Sequence, residues 1–294
     1  MQLPTFLIIG IQKAGTTSIY EYLRQHPQVY MSPVKETNFL EKDWSKIPPD
    51  PRKKNRIDTF EKYSQLFQAV TDELAIGEAS PNYLFHYQSS VQLIQHYLPQ
   101  AKMIAILRNP AERAYSDYLM HIREGINEDI SLSEQITLRS NSSFTLRKGF
   151  YYTPIKHYYE TFGREQIKIY LYEDLCKNPV ALMQDMYQFI GVDDRFCPDT
   201  AKKYQVAQVP KVKLVNTLLR KQNLPRTIVA SLMRYLLPLT LRQSIRSRLI
   251  KLNSTDKKQA PLSPEDRQQL VALYREDILQ LQDLIQRDLS SWLS

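Results

Sequence analysis

The stretch TFLIIGIQKAGTTSIYEYLRQ, Thr5 to Gln25, predicts a strand, a short loop and a helix in that order. Phe6 to Ile11 is an apolar run rich in β-branched residues, which is typical of a buried parallel strand. A helix N-terminus leaves backbone N–H groups unpaired and carries about half a positive charge. The segment between strand and helix also gathers a lysine, small residues and three hydroxyls: Lys13, Ala14, Gly15, Thr16, Thr17 and Ser18. We therefore expect this loop to bind a phosphate group.

The spacing of Gly10 and Gly15 fits the nucleotide-binding P-loop, GxxxxGK[ST], but the residues that follow do not. Thr16 and Thr17 occupy the positions of the Lys and the Ser/Thr, and the lysine lies inside the loop at Lys13. In a P-loop the lysine reaches the β- and γ-phosphates and the next hydroxyl binds Mg²⁺. Here the cation lies earlier, and the hydroxyls can contact a phosphate directly. An ordinary turn with a chance lysine is the alternative for this loop taken alone.

A second motif follows a predicted buried strand, KMIAIL, from Lys102 to Leu107. It reads RNPAERAYS, with Arg108 at the strand end, Asn109 and Pro110 suited to a helix start, and Ser116 about two turns into that helix. A Walker-B strand would instead end in an Asp that holds Mg²⁺. A guanidinium has a planar fork that suits phosphate oxygens, so this strand end argues against a P-loop kinase.

Together the two motifs resemble those of the sulfotransferases that use 3′-phosphoadenosine-5′-phosphosulfate (PAPS), and the resemblance covers most of the chain. GIQKAGTTSIYEYL is similar to their 5′-phosphosulfate loop, and RxPxxRxxS, Arg108 to Ser116, to their 3′-phosphate motif. The resemblance implies one α/β domain over residues 1–294, with a P-loop-like central parallel sheet and helices on both faces. It also implies PAPS as co-substrate, adenosine 3′,5′-bisphosphate as product, no metal ion, and donor contacts from Lys13 to Ser18, Arg108, Ser116 and Tyr151.

The catalytic base has three candidates. The stretch VKETNFLEKD resembles the segment of glycan sulfotransferases that carries a catalytic Glu, which implies Glu36 as the base. A solvated acid paired with Lys35 is the alternative for Glu36. Glu78 ends a predicted strand, Leu74 to Ser80, near the edge where α/β sheets bind ligands. His86 lies close to Glu78 in sequence, and small-molecule sulfotransferases use a histidine base.

The charge is concentrated in one segment. The net charge is +8, and Lys211 to Lys258 contains twelve Lys or Arg against Asp256, which gives +11 there and 8 − 11 = −3 elsewhere. We expect residues 206–260 to form a basic helical cap over the donor, with Lys211 and Lys213 where the family has a third donor-binding loop. Residues 226–252 could instead contact a membrane surface weakly. A nucleic-acid-binding protein is a third function class, but the basic residues alternate with Leu and Ile rather than with stacking aromatics.

Other features bear on location and acceptor. The chain of 294 residues begins almost at once with a strand, and no apolar run is long enough to span a bilayer. Cys176 and Cys197 have no metal or disulfide spacing, so we expect small buried residues in a reducing, cytoplasmic compartment. We expect a small-molecule, natural-product or saccharide acceptor, contacted by loops at 41–58 and 126–148. Apolar periodicity predicts further helices over Phe60 to Val70, Ser89 to Leu98, from Pro154, and from Pro264.

Overall fold

The computed structural model describes residues 2–48, 56–124, 126, 130–201, 209–210, 254–255 and 261–294. A five-stranded parallel sheet in the order β2-β3-β1-β4-β5 forms its centre. The strands are β1 Phe6–Gly10, β2 Val29–Met31, β3 Ala75–Ala79, β4 Lys102–Leu107 and β5 Ile167–Leu171. Two further short strands, β6 Val209–Pro210 and β7 Ser254–Thr255, pair antiparallel.

Helices surround the sheet, as the sequence predicted for an α/β fold. They are α1 Thr16–Leu23, α2 Phe60–Gln65, α3 Tyr87–Tyr97, α4 Pro110–Glu124, α5 Leu132–Arg139, α6 Phe144–Arg147, α7 Tyr152–Phe162, α8 Tyr172–Lys177, α9 Pro179–Ile190 and α10 Pro264–Ile285. Short 3₁₀ turns occur at Phe39–Glu41, Trp44–Lys46 and Ser290–Leu293.

The central strand β1 positions the candidate site. All five of its residues are buried, which agrees with its uninterrupted apolar sequence. It pairs with β3 on one side and with β4 on the other. From β1 the chain runs to β2 and β3 on one side of β1, and it then crosses to β4 and β5 on the other side. The connections that follow β1 and β4 therefore leave in opposite directions, and a crevice lies between them at the carboxyl ends of the strands. Such a change of strand order is where open α/β sheets bind ligands.

The long helix α10 holds the turn that precedes α7. It packs against α4, α5 and α7, and its residues Tyr274 and Ile278 are buried. A Cβ on Gly149 would lie 2.6 Å from Cζ of Tyr274, so only glycine permits this close approach of the turn before α7. The Asp277 carboxylate accepts hydrogen bonds from the backbone N–H groups of Tyr151 (2.8 Å) and Tyr152 (3.2 Å). This contact holds the start of α7 and the preceding turn in place.

Several sequence predictions need correction. The predicted loop at 126–148 contains helices α5 and α6, because Ser131 provides a full capping box for α5. The helix predicted over Phe60 to Val70 ends at Gln65. Cys176 and Cys197 are exposed, so the prediction of buried cysteines is wrong. The basic cap at 206–260, with Lys211, Lys213 and the membrane contact at 226–252, lies outside the described residues apart from β6 and β7.

Two features are absent from the part of the chain that the structure describes. No helix there is long and apolar enough to cross a membrane. No cluster of three or more His, Cys, Asp or Glu side chains in the same part of the chain could hold a metal ion.

Candidate active site

The loop between β1 and α1 has the backbone of a phosphate cradle. Gly15 precedes α1 with a φ of 85°, and no side chain caps the first turn of that helix. A Cβ on Gly15 would lie 2.6 Å from Cδ2 of Leu175, so both the backbone angle and the space require glycine. The N–H groups of the first turn are therefore available to an anion, beside the hydroxyls of Thr16, Thr17 and Ser18.

Lys13 lies at the turn of this loop. Its φ is 74°, a left-handed conformation that is uncommon for a residue other than glycine. Its ammonium lies 3.7 Å from Sδ of Met120 on α4. Burial lowers the pKa of Lys13, and the cations of Arg123 and Arg108 lower it further, whereas Asp117 opposes the shift. Backbone strain of this kind is often concentrated at functional sites.

Arg108, at the end of β4, joins the second motif to the first. Its Nη1 donates a 2.9 Å hydrogen bond to the carbonyl oxygen of Lys13, ninety-five residues away in sequence. The guanidinium also lies over the Tyr172 ring, with Cζ 4.8 Å from the ring centroid. Its Nη2 is 3.9 Å from the Glu112 carboxylate, which pairs in turn with Arg267 of α10. The two phosphate-type motifs of the sequence therefore meet at one place.

The other two residues of this region that were predicted to contact the sulfonate donor, Tyr151 and Ser116, lie in different environments. Tyr151 is 1% exposed, and its hydroxyl donates a 2.9 Å hydrogen bond to the carbonyl oxygen of Arg108. Burial raises the pKa of this phenol. Tyr151 thus supports the strand end that carries Arg108. Ser116 lies on α4, eight residues beyond Arg108, and is partly buried. Asn109 caps that helix by accepting from the N–H of Ala111, as the sequence predicted.

Glu36 lies on the loop that follows β2. Its φ of 63° is left-handed, and its backbone N–H donates a 2.8 Å hydrogen bond to the Ala79 carbonyl oxygen at the end of β3. Its side chain is 39% exposed, and the Lys35 ammonium donates to its Oε1 at 2.6 Å. Glu36 therefore presents an accessible carboxylate at the edge where β1, β3 and β4 end.

Glu78 has the opposite environment. It is fully buried, and four hydroxyls donate to its carboxylate: Thr37 at 2.9 Å, Tyr63 at 3.1 Å, Tyr83 at 3.0 Å, and Ser80. Burial raises the pKa of Glu78, and these hydroxyl hydrogen bonds oppose the rise. Because Thr37 follows Glu36 directly, the Glu78 carboxylate anchors the loop that carries Glu36.

His86 lies at the start of α3. Its Nε2 is 3.5 Å from the Glu41 carboxylate, and burial lowers the pKa of the imidazole. The side chain of Phe85 packs edge-on against it at 4.9 Å between ring centroids. His86 is thus paired with an acid that the sequence did not single out.

Sequence reasoning missed three residues near the site. Lys148 donates a 2.6 Å hydrogen bond from its ammonium to Oε1 of Gln12 in the phosphate loop. Arg267 pairs with Glu112 beside Arg108. For these residues the sequence contains no local signal, since each contact joins distant segments. Asp277 did have a local signal, because it lies at helical spacing from Tyr274 and Leu281 of α10, which are both buried.

The fold and the site define an α/β protein with a loop suited to an anion and an arginine at the crevice of its parallel sheet. The family model of the sulfotransferase domain matches residues 3–246. A crystal structure of a sulfotransferase from Alicyclobacillus acidocaldarius superimposes with a TM-score of 0.72 and 28% identity, covering 100% of both chains. The chain belongs to the sulfotransferase family.

Curated relatives include enzymes named for carbohydrates. The bifunctional heparan sulfate N-deacetylase/N-sulfotransferase 2 of Homo sapiens is 31% identical over 208 residues, which cover 65% of this chain and 22% of that protein. Carbohydrate sulfotransferase 15 of Mus musculus is 28% identical over 247 residues, which cover 65% of this chain and 44% of that protein. The chain therefore spans less than half of the length of either relative.

Proposed function

We propose that this protein transfers the sulfonate group of PAPS to a hydroxyl of a small-molecule, natural-product or saccharide acceptor. The observation that carries the proposal is the 2.9 Å hydrogen bond between Arg108 and the Lys13 carbonyl. It brings an arginine suited to a 3′-phosphate next to a loop suited to a 5′-phosphosulfate. A donor that carries both a 3′-phosphate and a 5′-phosphosulfate fits a crevice in which this arginine and this loop are neighbours.

In the proposed reaction, Glu36 accepts the proton of the acceptor hydroxyl as its oxygen forms a bond to sulfur. Lys13 and the first turn of α1 stabilise the negative charge on the 5′-phosphate as its bridging oxygen leaves with the electron pair. Arg108 and Ser116 hold the 3′-phosphate and fix the position of the donor. A phosphate is already a good leaving group, so these steps need no metal ion.

The choice of Glu36 over Glu78 rests on access. Glu36 is 39% exposed at its side chain, whereas Glu78 is fully buried and accepts from four hydroxyls. A general base must reach the acceptor hydroxyl directly or through one water. Glu36 satisfies this requirement at the crevice edge, and Glu78 acts by anchoring the loop.

The test is a search for sulfonated products by mass spectrometry. A metabolite extract incubated with PAPS and the protein should give at least one species heavier by a sulfonate, and the Lys13→Ala variant should form it far more slowly. The same extract with ATP and Mg²⁺ should give no phosphorylated product. Phosphorylation without sulfonation would contradict the proposal. The predicted cytoplasmic location stays a prediction, which cell fractionation would test.

A further inference from the structure

The turn that precedes α7 presents a second lysine, Lys148, to the phosphate loop. Its backbone is held on both sides: the Tyr274 hydroxyl donates to the Leu146 carbonyl oxygen at 2.7 Å, and Asp277 accepts from the N–H of Tyr151. Gly149 packs directly on the Tyr274 ring. A side chain that starts from so constrained a turn has a defined direction, and its ammonium reaches Oε1 of Gln12 at 2.6 Å.

This ammonium lacks a counter-ion among the residues that the structure describes. No carboxylate there lies within 4 Å of its Nζ, and its hydrogen bond goes to a neutral amide oxygen. Lys148 is nevertheless only partly exposed, and burial lowers the pKa of its ammonium. A partly buried cation without a counter-ion is costly, and an anionic ligand would remove this cost.

The charges around Lys148 define where that ligand would bind. The charged groups that act on the Lys148 ammonium are Asp117 and Arg113 of α4, and Glu41 and Glu36 of the segment after β2. These carboxylates have other cations as partners: Asp117 pairs with Arg113 at 2.9 Å, Glu36 with Lys35 at 2.6 Å, and Glu41 with Lys42 at 3.7 Å. Lys148 therefore donates to the phosphate loop and lies within electrostatic range of Glu36, while the carboxylates around it are paired with other cations.

In the proposed reaction the sulfonate moves from a donor held at the phosphate loop to an acceptor oxygen beside Glu36. We propose that Lys148 is a second catalytic cation, whose ammonium contacts the sulfonate oxygens during transfer. This inference rests on the proposed function. Lys148 keeps its protons throughout: the bond from sulfur to the 5′-phosphate oxygen breaks, the bond to the acceptor oxygen forms, and Glu36 takes the hydroxyl proton. The contribution of Lys148 is electrostatic, since negative charge passes across the sulfonate group.

The test compares two nucleotides that differ by the sulfonate. Isothermal titration calorimetry without acceptor would measure the Kd of PAPS and of adenosine 3′,5′-bisphosphate for the wild-type protein and for Lys148→Met. We expect the variant to lose about 10- to 100-fold in affinity for PAPS and less than about 2-fold for the bisphosphate. Lys156→Met, which removes an exposed lysine of α7 paired with Glu160, should change neither value.

Thermal unfolding separates this role from a structural one. No carboxylate among the described residues pairs with Lys148, so its removal breaks no ion pair there. Lys148→Met should therefore melt at the wild-type temperature or above it. Should that variant not fold, Lys148→Gln keeps a hydrogen bond to Gln12 without the charge and should show the same selective loss for PAPS. Equal losses for both nucleotides, no loss for either, or a raised KM for the acceptor alone would overturn the inference.

The outcomes also separate this inference from the function on which it rests. A wild-type protein that binds neither nucleotide would contradict the proposed function itself. A wild-type protein that binds both and transfers sulfonate, with a Lys148→Met variant that keeps its preference for PAPS, would contradict only the role of Lys148.

Discussion

The two sides of the crevice that we assign to the donor and to the acceptor are built by different means. On the donor side, regular strand–loop–helix units place the functional groups: the loop from Gly10 to Gly15 follows β1, and Arg108 ends β4. On the acceptor side, a loop after β2 is held by contacts to a different strand. Glu36 donates to Ala79, and Thr37 donates to the buried Glu78. In the proposed mechanism the acceptor side therefore depends on an anchor, Glu78, that does not accept the proton.

One property is shared by the two sides. Four described residues other than glycine have positive φ, and they include Lys13 at 74° and Glu36 at 63°. Each of these conformations costs of order 1 kcal/mol or more and persists only where surrounding contacts impose it. The hydrogen bond from Arg108 to the Lys13 carbonyl is such a contact on one side, and the hydrogen bond from Glu36 to Ala79 is one on the other.

The largest expected effects are on turnover, and the first variant that tests them is Glu36→Gln, which removes the proposed base and keeps the shape of the side chain. Turnover should fall by ~10²-fold or more, which is the usual scale for a positioned base, and nucleotide affinity should not change. Steady-state rates of sulfonated product formation would measure this effect. Glu160→Gln on α7 is the matched control. Near-normal turnover in Glu36→Gln, with an inactive His86 or Glu78 variant, would move the base to the end of β3.

Lys13→Ala tests the donor side in the same assay. Turnover should fall by roughly 10²- to 10³-fold, because the ammonium acts on charge that develops as the bond to the leaving phosphate breaks. The donor KM should rise much less than turnover falls. Lys156→Ala provides the control. Normal turnover with only a raised donor KM would show that Lys13 anchors the nucleotide and has no role in bond breaking.

Glu78→Gln tests whether the anchor is separate from the chemistry. An amide cannot accept from four hydroxyls, so the variant should lose about 1–3 kcal/mol in the free energy of unfolding. Its turnover should fall less than that of Glu36→Gln. Urea unfolding together with the product assay would measure both quantities. A Glu78→Gln protein of wild-type stability would remove the reason for assigning an anchoring role to this carboxylate.

Asp277→Asn tests the pH dependence of stability. Burial raises the pKa of Asp277 to about 6, so the folded protein binds this proton more tightly than the unfolded chain does. This contribution to stability is present below pH ~4 and is lost as the pH rises through 6, by at most about 3 kcal/mol. The asparagine variant should lack that decline, as urea unfolding at several pH values would show. Asp283→Asn on the same helix is the control, and parallel curves for Asp277→Asn and the wild-type protein would contradict the assignment.

The same contrast explains how much the sequence could predict. The loop with Lys13 and Gly15, the strand before Arg108 and the Asn109 cap are local patterns, and the structure has the predicted elements at each of these positions. The contacts of Lys148 with Gln12 and of Arg267 with Glu112 join segments more than a hundred residues apart. Spacing along the chain contains no information on such pairs.

Exposure was harder to predict than strands and helices. The sequence places both Glu36 and Glu78 near the crevice and does not show which of them is exposed. The packing of Tyr63 and Tyr83 around Glu78 makes Glu78 the buried one. Cys176 was expected to be buried because cysteine usually is, but it lies exposed on α8. In both cases burial is decided by neighbours that are distant in sequence.

The central claim is that Arg108 and the β1–α1 loop form one site for a nucleotide with both a 3′- and a 5′-phosphate. Isothermal titration calorimetry with adenosine 3′,5′-bisphosphate and with adenosine 5′-phosphate tests it most directly. The wild-type protein should prefer the bisphosphate. Arg108→Ala should weaken bisphosphate binding by about 10- to 100-fold and leave monophosphate binding nearly unchanged, whereas Arg24→Ala should affect neither. Equal losses for the two nucleotides in Arg108→Ala, or a wild-type protein without preference, would contradict the account.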